Sequence, residues 1–218
     1  MSATRIFDVC GTLVLDDTTI GLMRWHFRRL GLKRRWILAM AAHRFSPVRY
    51  AFSAVERVTK SHVLKHVLLA LLYREEMNDL NRSAAEYADW LLENRRISEV
   101  QEILEGLPAG GRIILASASL EPIVAALATR LSASYVASEL EAAGGRCLGR
   151  LKHDLAGRKI DALDEKLGLG WRICPYLAVS DNLSDRSLLA GAERAYVVLH
   201  SERHRKRWRE LEAEYISI

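Results

Sequence analysis

The feature that most constrains this chain is the alternation of short apolar runs with helical stretches from Ile97 onward. Residues 97–106 have helical spacing, and Pro108-Ala109-Gly110-Gly111 reads as a turn. An apolar strand from Arg112 to Ala116 ends at Ser117, and a helix follows over 120–131, with Glu121-Pro122 suited to its first turn. Tyr135-Val136-Ala137 is a strand, and Gly144-Gly145 turns a hairpin between Leu140 and the run 147–151. A helix over 158–167 stops at Gly168. A strand over 176–179 runs into Ser180-Asp181, a helix covers 186–192, and residues 195–199 form the final strand. The basic run 203–209 is placed on a C-terminal helix with a solvated face. Near the start, Arg5-Ile6-Phe7 is one more short strand, leading directly into Asp8 and then Gly11-Thr12. Strands alternating with helices imply an α/β fold with a doubly wound parallel sheet. Ligands in such sheets sit at the C-terminal strand ends, where Asp8, Ser117 and Asp181 all fall.

Between the first strand and this alternating region, residues 18–94 look helical almost throughout, punctuated by Gly31 and Ser46-Pro47. Leu64, Val67, Leu68, Leu71 and Leu72 give the cleanest helical stripe. The expected organisation is a core of residues 1–16 and 96–218 interrupted by a helical insert over 17–95. Half of the 218 residues are hydrophobic, enough for a core of that size. The longest apolar runs, 36–42 and 67–73, are seven residues each. A membrane-spanning helix needs roughly 20. Cys10, Cys147 and Cys174 show no CxxC spacing, so neither a zinc site nor a disulfide framework is expected. With no signal-peptide pattern at the N-terminus, a cytoplasmic location is expected.

Four polar elements occur in order: Asp8-Val9-Cys10-Gly11-Thr12, Ser117, Lys159 opening a helix after Gly157-Arg158, and Asp181-Asn182-Leu183-Ser184-Asp185. Phosphoryl transfer needs an in-line nucleophile and charge neutralisation on the phosphoryl oxygens. A carboxylate such as Asp8 can form an aspartyl phosphate. Asp8 and Asp181, with a backbone carbonyl near Cys10, supply hard oxygens of the kind Mg²⁺ takes. Ser117, Lys159 and the amides of the Asp8–Thr12 loop would hold phosphoryl oxygens. Other readings stand beside these. Ser117 could cap the next helix, and Asp181 with Asp185 could cap the helix at Arg186. Cys10 could be a small residue without chemistry. His26, His43, His62 and His66 are placed on faces of the insert's helices.

This order resembles the haloacid dehalogenase superfamily of aspartate-nucleophile phosphohydrolases, in its phosphoserine-phosphatase-like branch. The segment Ala116-Ser117-Ala118-Ser119-Leu120-Glu121-Pro122 is similar to that branch's second motif. The segments 137–141 and 145–149 are similar to its hairpin before the lysine. The resemblance implies a Rossmann-like core with an inserted α-helical cap, and Mg²⁺ as cofactor. It implies Asp8 as nucleophile and metal ligand, the Cys10 backbone carbonyl and Asp181 as further ligands, and Asp185 as their support. It also implies that Ser117, Ala118 and Lys159 bind phosphate, and that Thr12 hydrogen-bonds within the loop.

The chain departs from the pattern at Cys10, where hydrolases of the superfamily carry the aspartate that protonates the leaving group and then activates water. A thiol titrates at about 8.5 against about 3.9 for Asp, and is a weak hydrogen-bonding group. Loss of a general acid–base costs about 10²–10⁴-fold. Slow phosphomonoester hydrolysis is therefore expected. The superfamily's P-type ion pumps also lack that aspartate and have long-lived phosphoenzymes, so a phosphotransferase is the first alternative. A phosphate-sensing or membrane-docking module with little hydrolysis is the second.

The net charge of +5 is unevenly spread: residues 20–66 hold eleven Lys or Arg and one acid, Glu56. This basic segment has three readings: a solvated face, a funnel for an anionic substrate, or a contact with an anionic membrane through Trp25, Phe27, Trp36 and Phe45. The partner expected is a small phosphorylated substrate, lipid-linked in the membrane reading. No recognition module for nucleic acid is visible.

Overall fold

A computed structural model of the protein describes residues 4–41, 63–106 and 111–218. Ser46-Pro47, Phe45, His43, His62 and most of the turn expected at 108–111 lie outside the described residues. The elements run β1 (Thr4–Phe7), α1 (Thr18–Arg29), α2 (Lys33–Ala41), α3 (Val63–Ala70), α4 (Met77–Asn94), α5 (Ser98–Glu105), β2 (Arg112–Leu120) and α6 (Glu121–Arg130). Then come β3 (Ser134–Ala143), β4 (Arg146–His153), α7 (Lys159–Leu167), β5 (Tyr176–Ser180), α8 (Arg186–Ala190), β6 (Arg194–Leu199) and β7 (Glu214–Ser217).

The seven strands form one sheet in the order β4-β3-β2-β1-β5-β6-β7. All neighbours are parallel except the β3–β4 hairpin. That hairpin turns on Gly144 (φ 56°) and Gly145 (φ 76°), left-handed conformations that favour glycine at a two-residue turn. The apolar runs are continuous because both faces of the sheet are covered. Successive side chains point to opposite faces. Phe7, Leu115, Val179 and Val198 therefore join one buried cluster, while Ile6, Ile114, Ala178 and Val197 join another.

The helical segment between β1 and α5 packs on the first of these clusters. Ile20, Met23 and Phe27 of α1 and Leu80, Ala84 and Leu91 of α4 are buried there. α4 lies against both α1 and α6, tying the insert to the core. The side chain of Asp17 starts α1 by accepting from the Ile20 N–H at 3.2 Å. His26 lies on a helix face, as expected, but on the inward face of α1. It is fully buried, with Ser83 at 2.9 Å on Nδ1 and Glu75 at 3.1 Å on Nε2.

Three expectations change at the strand ends and the C-terminus. β2 does not stop at Ser117 but continues to Leu120, shifting register between those residues as it pairs with β3. The strand ending at Leu199 is not the last, because β7 extends the sheet edge. The basic run before β7 forms 3₁₀ turns over Glu202–Trp208 and no α-helix. Trp208 there is buried in the second cluster and anchors the turns from below. Among the described residues, no helix is long and apolar enough to cross a membrane.

Candidate active site

The four polar elements converge at the C-terminal edge of the parallel strands. Asp8 follows β1 and Asp181 follows β5, strands that are direct neighbours in the sheet. Ser117 lies within β2 on the other side of β1. Lys159 opens α7 and reaches in from above the sheet. A cavity of about 400 Å³ is lined by Asp8, Cys10, Ser117, Ala118, Lys159 and Asp181. Thr12 and Asp185 sit behind this lining, both buried.

Lys159 is the electrostatic centre of the cluster. Its ammonium stands 2.9 Å from Asp8 Oδ1 and 2.6 Å from Asp185 Oδ2, and the side chain is 5 % exposed. The two carboxylates hold the lysine above its ordinary range although burial alone would lower it. Ser180 Oγ donates to the same Asp185 oxygen at 2.6 Å, so Asp185 braces the lysine from behind. Burial pushes Asp8 up to about 6, against the pull of Lys159, and the charges of Asp185 and Asp181 push the same way.

The Asp8–Thr12 loop is held by its own amides. The N–H groups of Leu13 and Val14 both donate to the Val9 carbonyl, and Gly11 N–H donates to the Val14 carbonyl at 2.9 Å. Gly11 has φ 76°, and a Cβ there would lie 2.4 Å from Asp181 Oδ2. Only glycine lets the loop approach Asp181 this closely. Thr12 bonds within its loop through its N–H, which donates to the Val9 carbonyl at 3.3 Å, as expected, while its side chain is directed elsewhere. It reaches across to the neighbouring strand end, where its hydroxyl donates to Asp181 Oδ1 at 3.0 Å and accepts from the Asp181 N–H at 2.9 Å. The reason is the parallel pairing of β1 and β5, which brings their ends side by side.

Neither capping alternative matches the geometry. Leu120, not Ser117, precedes the first turn of α6, with no side-chain cap. Ser117 Oγ instead accepts from Ser119 N–H at 3.3 Å and donates to Ser119 Oγ at 3.1 Å. Asp185 precedes α8 but makes no capping bond, its carboxylate being turned to Lys159 and Ser180. Cys10 donates its thiol to the Asp16 carbonyl at 3.0 Å. Burial first, then the charge of Asp17, keep that thiol far above its ordinary range, so it is protonated at neutral pH. Cys147 is buried, whereas Cys174 is exposed and packs in no core.

Two residues that the sequence reading passed over belong to this neighbourhood. His200, immediately after β6, places Nε2 3.2 Å from Asp181 Oδ2. Its position at a C-terminal strand end was the available signal, but a histidine after the fifth parallel strand belongs to none of the four motif elements. Ser119 links Ser117 to Thr18, whose hydroxyl is 2.6 Å away.

A model of the haloacid dehalogenase-like hydrolase family matches residues 6–190. No curated protein matches the sequence. Among solved structures, a protein with unknown function from Bordetella pertussis Tohama I is similar at 19% identity and a TM-score of 0.75, over 98% of this chain and 99% of that one. A phosphoserine phosphohydrolase-like protein from Francisella tularensis is similar at 16% identity and a TM-score of 0.60, over 99% and 95%. A probable phosphoserine phosphatase from Vibrio cholerae is similar at 13% identity and a TM-score of 0.63, over 99% of this chain and 60% of that one. At these identities the likeness is one of fold.

Proposed function

The chain belongs to the haloacid dehalogenase-like hydrolase family, and on that footing we propose that it is a Mg²⁺-dependent phosphomonoester hydrolase that works slowly through an aspartyl phosphate on Asp8. The observation that carries this reading is the buried Asp8–Lys159–Asp185 relay facing a cavity shared with Ser117 and Asp181. The core is then residues 1–16 and 96–218, and the helices between them are a cap over the site.

In this reading the Asp8 carboxylate attacks phosphorus as the bond to the leaving oxygen breaks, and a water later cleaves the acyl phosphate to release inorganic phosphate. Lys159, the Ser117 hydroxyl and the backbone beside Ala118 hold the phosphoryl oxygens. Asp185 keeps Lys159 oriented, and Thr12 with His200 orients Asp181. The donor set fits the metal. Among the described residues no three His, Cys, Asp or Glu side chains form a complete cage, but Mg²⁺ takes one or two carboxylates and fills its shell with water and phosphate. Asp8, Asp181 and the Cys10 carbonyl would hold it, and it would supply charge neutralisation at the phosphoryl oxygens.

Cys10 makes the enzyme atypical. A thiol this firmly protonated and turned to the Asp16 carbonyl neither gives a proton readily to a leaving alkoxide nor takes one from water. The same observation supports a second reading, a phosphotransferase whose phosphoenzyme waits for an acceptor other than water.

The substrate is a small phosphorylated molecule. Phe27 is fully buried and Trp25 and Trp36 are half-buried, so these aromatics do not form the membrane contact expected of them. Ile37 and Leu38 on α2, 59% and 55% exposed beside exposed Lys33 and Arg34, instead support peripheral contact with an anionic membrane and hence a lipid-linked substrate. Sedimentation with anionic vesicles at low and high salt tests this; no binding at low salt removes it.

The activity test is turnover of a generic aryl phosphate with and without Mg²⁺ by wild type, Cys10→Asp and Asp8→Asn. Slow Mg²⁺-dependent turnover by wild type, faster turnover by Cys10→Asp and none by Asp8→Asn are expected. Equal inactivity of all three would overturn the phosphatase reading.

A further inference from the structure

Among the described residues the cavity wall carries two lysines, and only one of them is committed to the core of the site. Lys159 is enclosed and held by two carboxylates. Lys65 comes from α3 of the insert, with its side chain 23% exposed, and its ammonium lies 2.7 Å from Asp154 Oδ1 in the loop after β4. Its companions from the insert on this wall are Thr19, Ile20 and Leu68, which are neutral. Asp17 is also there, but its carboxylate is turned to the first turn of α1.

We propose that Lys65 reads a second acidic group on the leaving-group part of the substrate, giving up Asp154 to pair with it. The favoured substrates are then phosphomonoesters whose leaving group carries a further anion beside an apolar portion that meets Ile20 and Leu68. This rests on the phosphomonoesterase reading and names the substrate class within it. The exchange is cheap for the protein. Asp154 Oδ1 also accepts from the Ala156 N–H at 3.0 Å and lies 3.4 Å from the Ser138 hydroxyl, so it stays solvated by the protein when the lysine leaves. The lysine has a flexible stem and a compact charge, suited to moving between two anions.

The test is calorimetric binding of alkyl phosphonates to the full chain in Mg²⁺. Two series of two to six carbons are compared, one ending in a carboxylate and one in a methyl group. At the best-fitting length, wild type should prefer the carboxylate about ten-fold, the worth of one charge-assisted hydrogen bond in a half-enclosed site. Lys65→Met should abolish the preference while still binding the methyl series as wild type does. Lys65→Arg should restore part of it. Asp154→Asn, which releases the lysine from its resting partner, should keep or enlarge it. Binding of both series by wild type without preference would overturn the Lys65 assignment alone. A loss in Asp154→Asn equal to that in Lys65→Met would do the same, making the pair an internal latch. Failure of wild type to bind either series would overturn the assignment together with the phosphoryl-site reading.

Discussion

Replacing Asp8 by Asn should stabilise the metal-free protein at neutral pH, although it removes the proposed nucleophile. Asp8 titrates at about 6 in the fold against an ordinary 3.8, mainly because it is buried. A carboxyl raised on folding binds its proton more tightly in the native state. Stability therefore falls as pH rises from about 4 to about 6, and the full penalty is present above that. The shift of about two units corresponds to about 3 kcal/mol, an upper figure for the charge's cost. Asn retains the polar contacts, since Val9 N–H and Lys159 both reach the single oxygen Oδ1, at 2.8 and 2.9 Å. Lys159 keeps Asp185. Thermal unfolding in EDTA should show Asp8→Asn melting higher than wild type at pH 7.5, by about 2–4 °C per kcal/mol for a chain of this size. The gap should shrink at pH 5. Buried His26, held below its ordinary range by desolvation and opposed by Glu75, also titrates on acidification, but it is common to both proteins and cancels in the difference. Added Mg²⁺ should raise the melting point of wild type more than that of the variant. An Asp8→Asn protein no more stable than wild type at pH 7.5, or a gap independent of pH, would refute the argument that burial outweighs Lys159 at this carboxylate.

Cys10→Asp should raise aryl phosphate turnover by about 10²–10⁴-fold. The burial and the charges of Asp17 and Asp8 that raise the thiol would also raise a carboxyl there, leaving it protonated for the leaving group; steady-state kinetics from pH 5 to 8 check this. Gly11→Ala should lose turnover and about 1–3 kcal/mol of stability in urea unfolding, from a strained backbone and a clash with Asp181. Lys159→Met should cost about 3–5 kcal/mol, because it leaves Asp8 and Asp185 buried without their cation. The loss should be smaller at pH 5 than at pH 8, because Asp8, already raised to about 6 by burial, takes up a proton in between, and paired urea titrations measure it.

The sheet was legible in the sequence because its central strands are buried on both faces. Runs such as Ile113-Ile114-Leu115-Ala116 need no knowledge of partners to be read. The polar residues just after β1 and β5 and among the last residues of β2 were legible for the same reason, since strand ends mark where a parallel sheet binds. The edge was not. β7 is only half-buried, and its Glu214-Tyr215-Ile216-Ser217 pattern is too short to stand out after a basic run. The 3₁₀ turns before it were missed because their structure follows from burying Trp208, a tertiary fact. The enclosure of His26 was hidden for a similar reason. Helical periodicity cannot show that Ser83 and Glu75 from another stretch of chain will enclose an imidazole. Thr12 shows a further limit. Its N–H bonds within the loop, but that its hydroxyl pairs with Asp181 follows only from the side-by-side placement of β1 and β5.

The position of Cys10 separates two demands that an aspartate would meet together. In the proposed reading, holding a cation needs a backbone carbonyl, which any residue supplies, and a loop able to approach Asp181, which Gly11 supplies. Moving protons needs a side chain that titrates near neutrality and faces the cavity. Here the side chain is spent on the Asp16 carbonyl, and Asp16 in turn accepts from the Tyr87 hydroxyl of α4 at 2.8 Å. The thiol is thus one link in a chain from the loop through Asp16 to the helical insert, and its hydrogen bond orders the junction between them. An aspartate at this position would face the Asp16 carbonyl, and when ionised it would have no proton to donate there. Restoring the acid–base group should consequently loosen the junction only where the pH is high enough to ionise it. In Cys10→Asp the melting temperature should fall, and the gain in turnover fade, as the new carboxyl ionises.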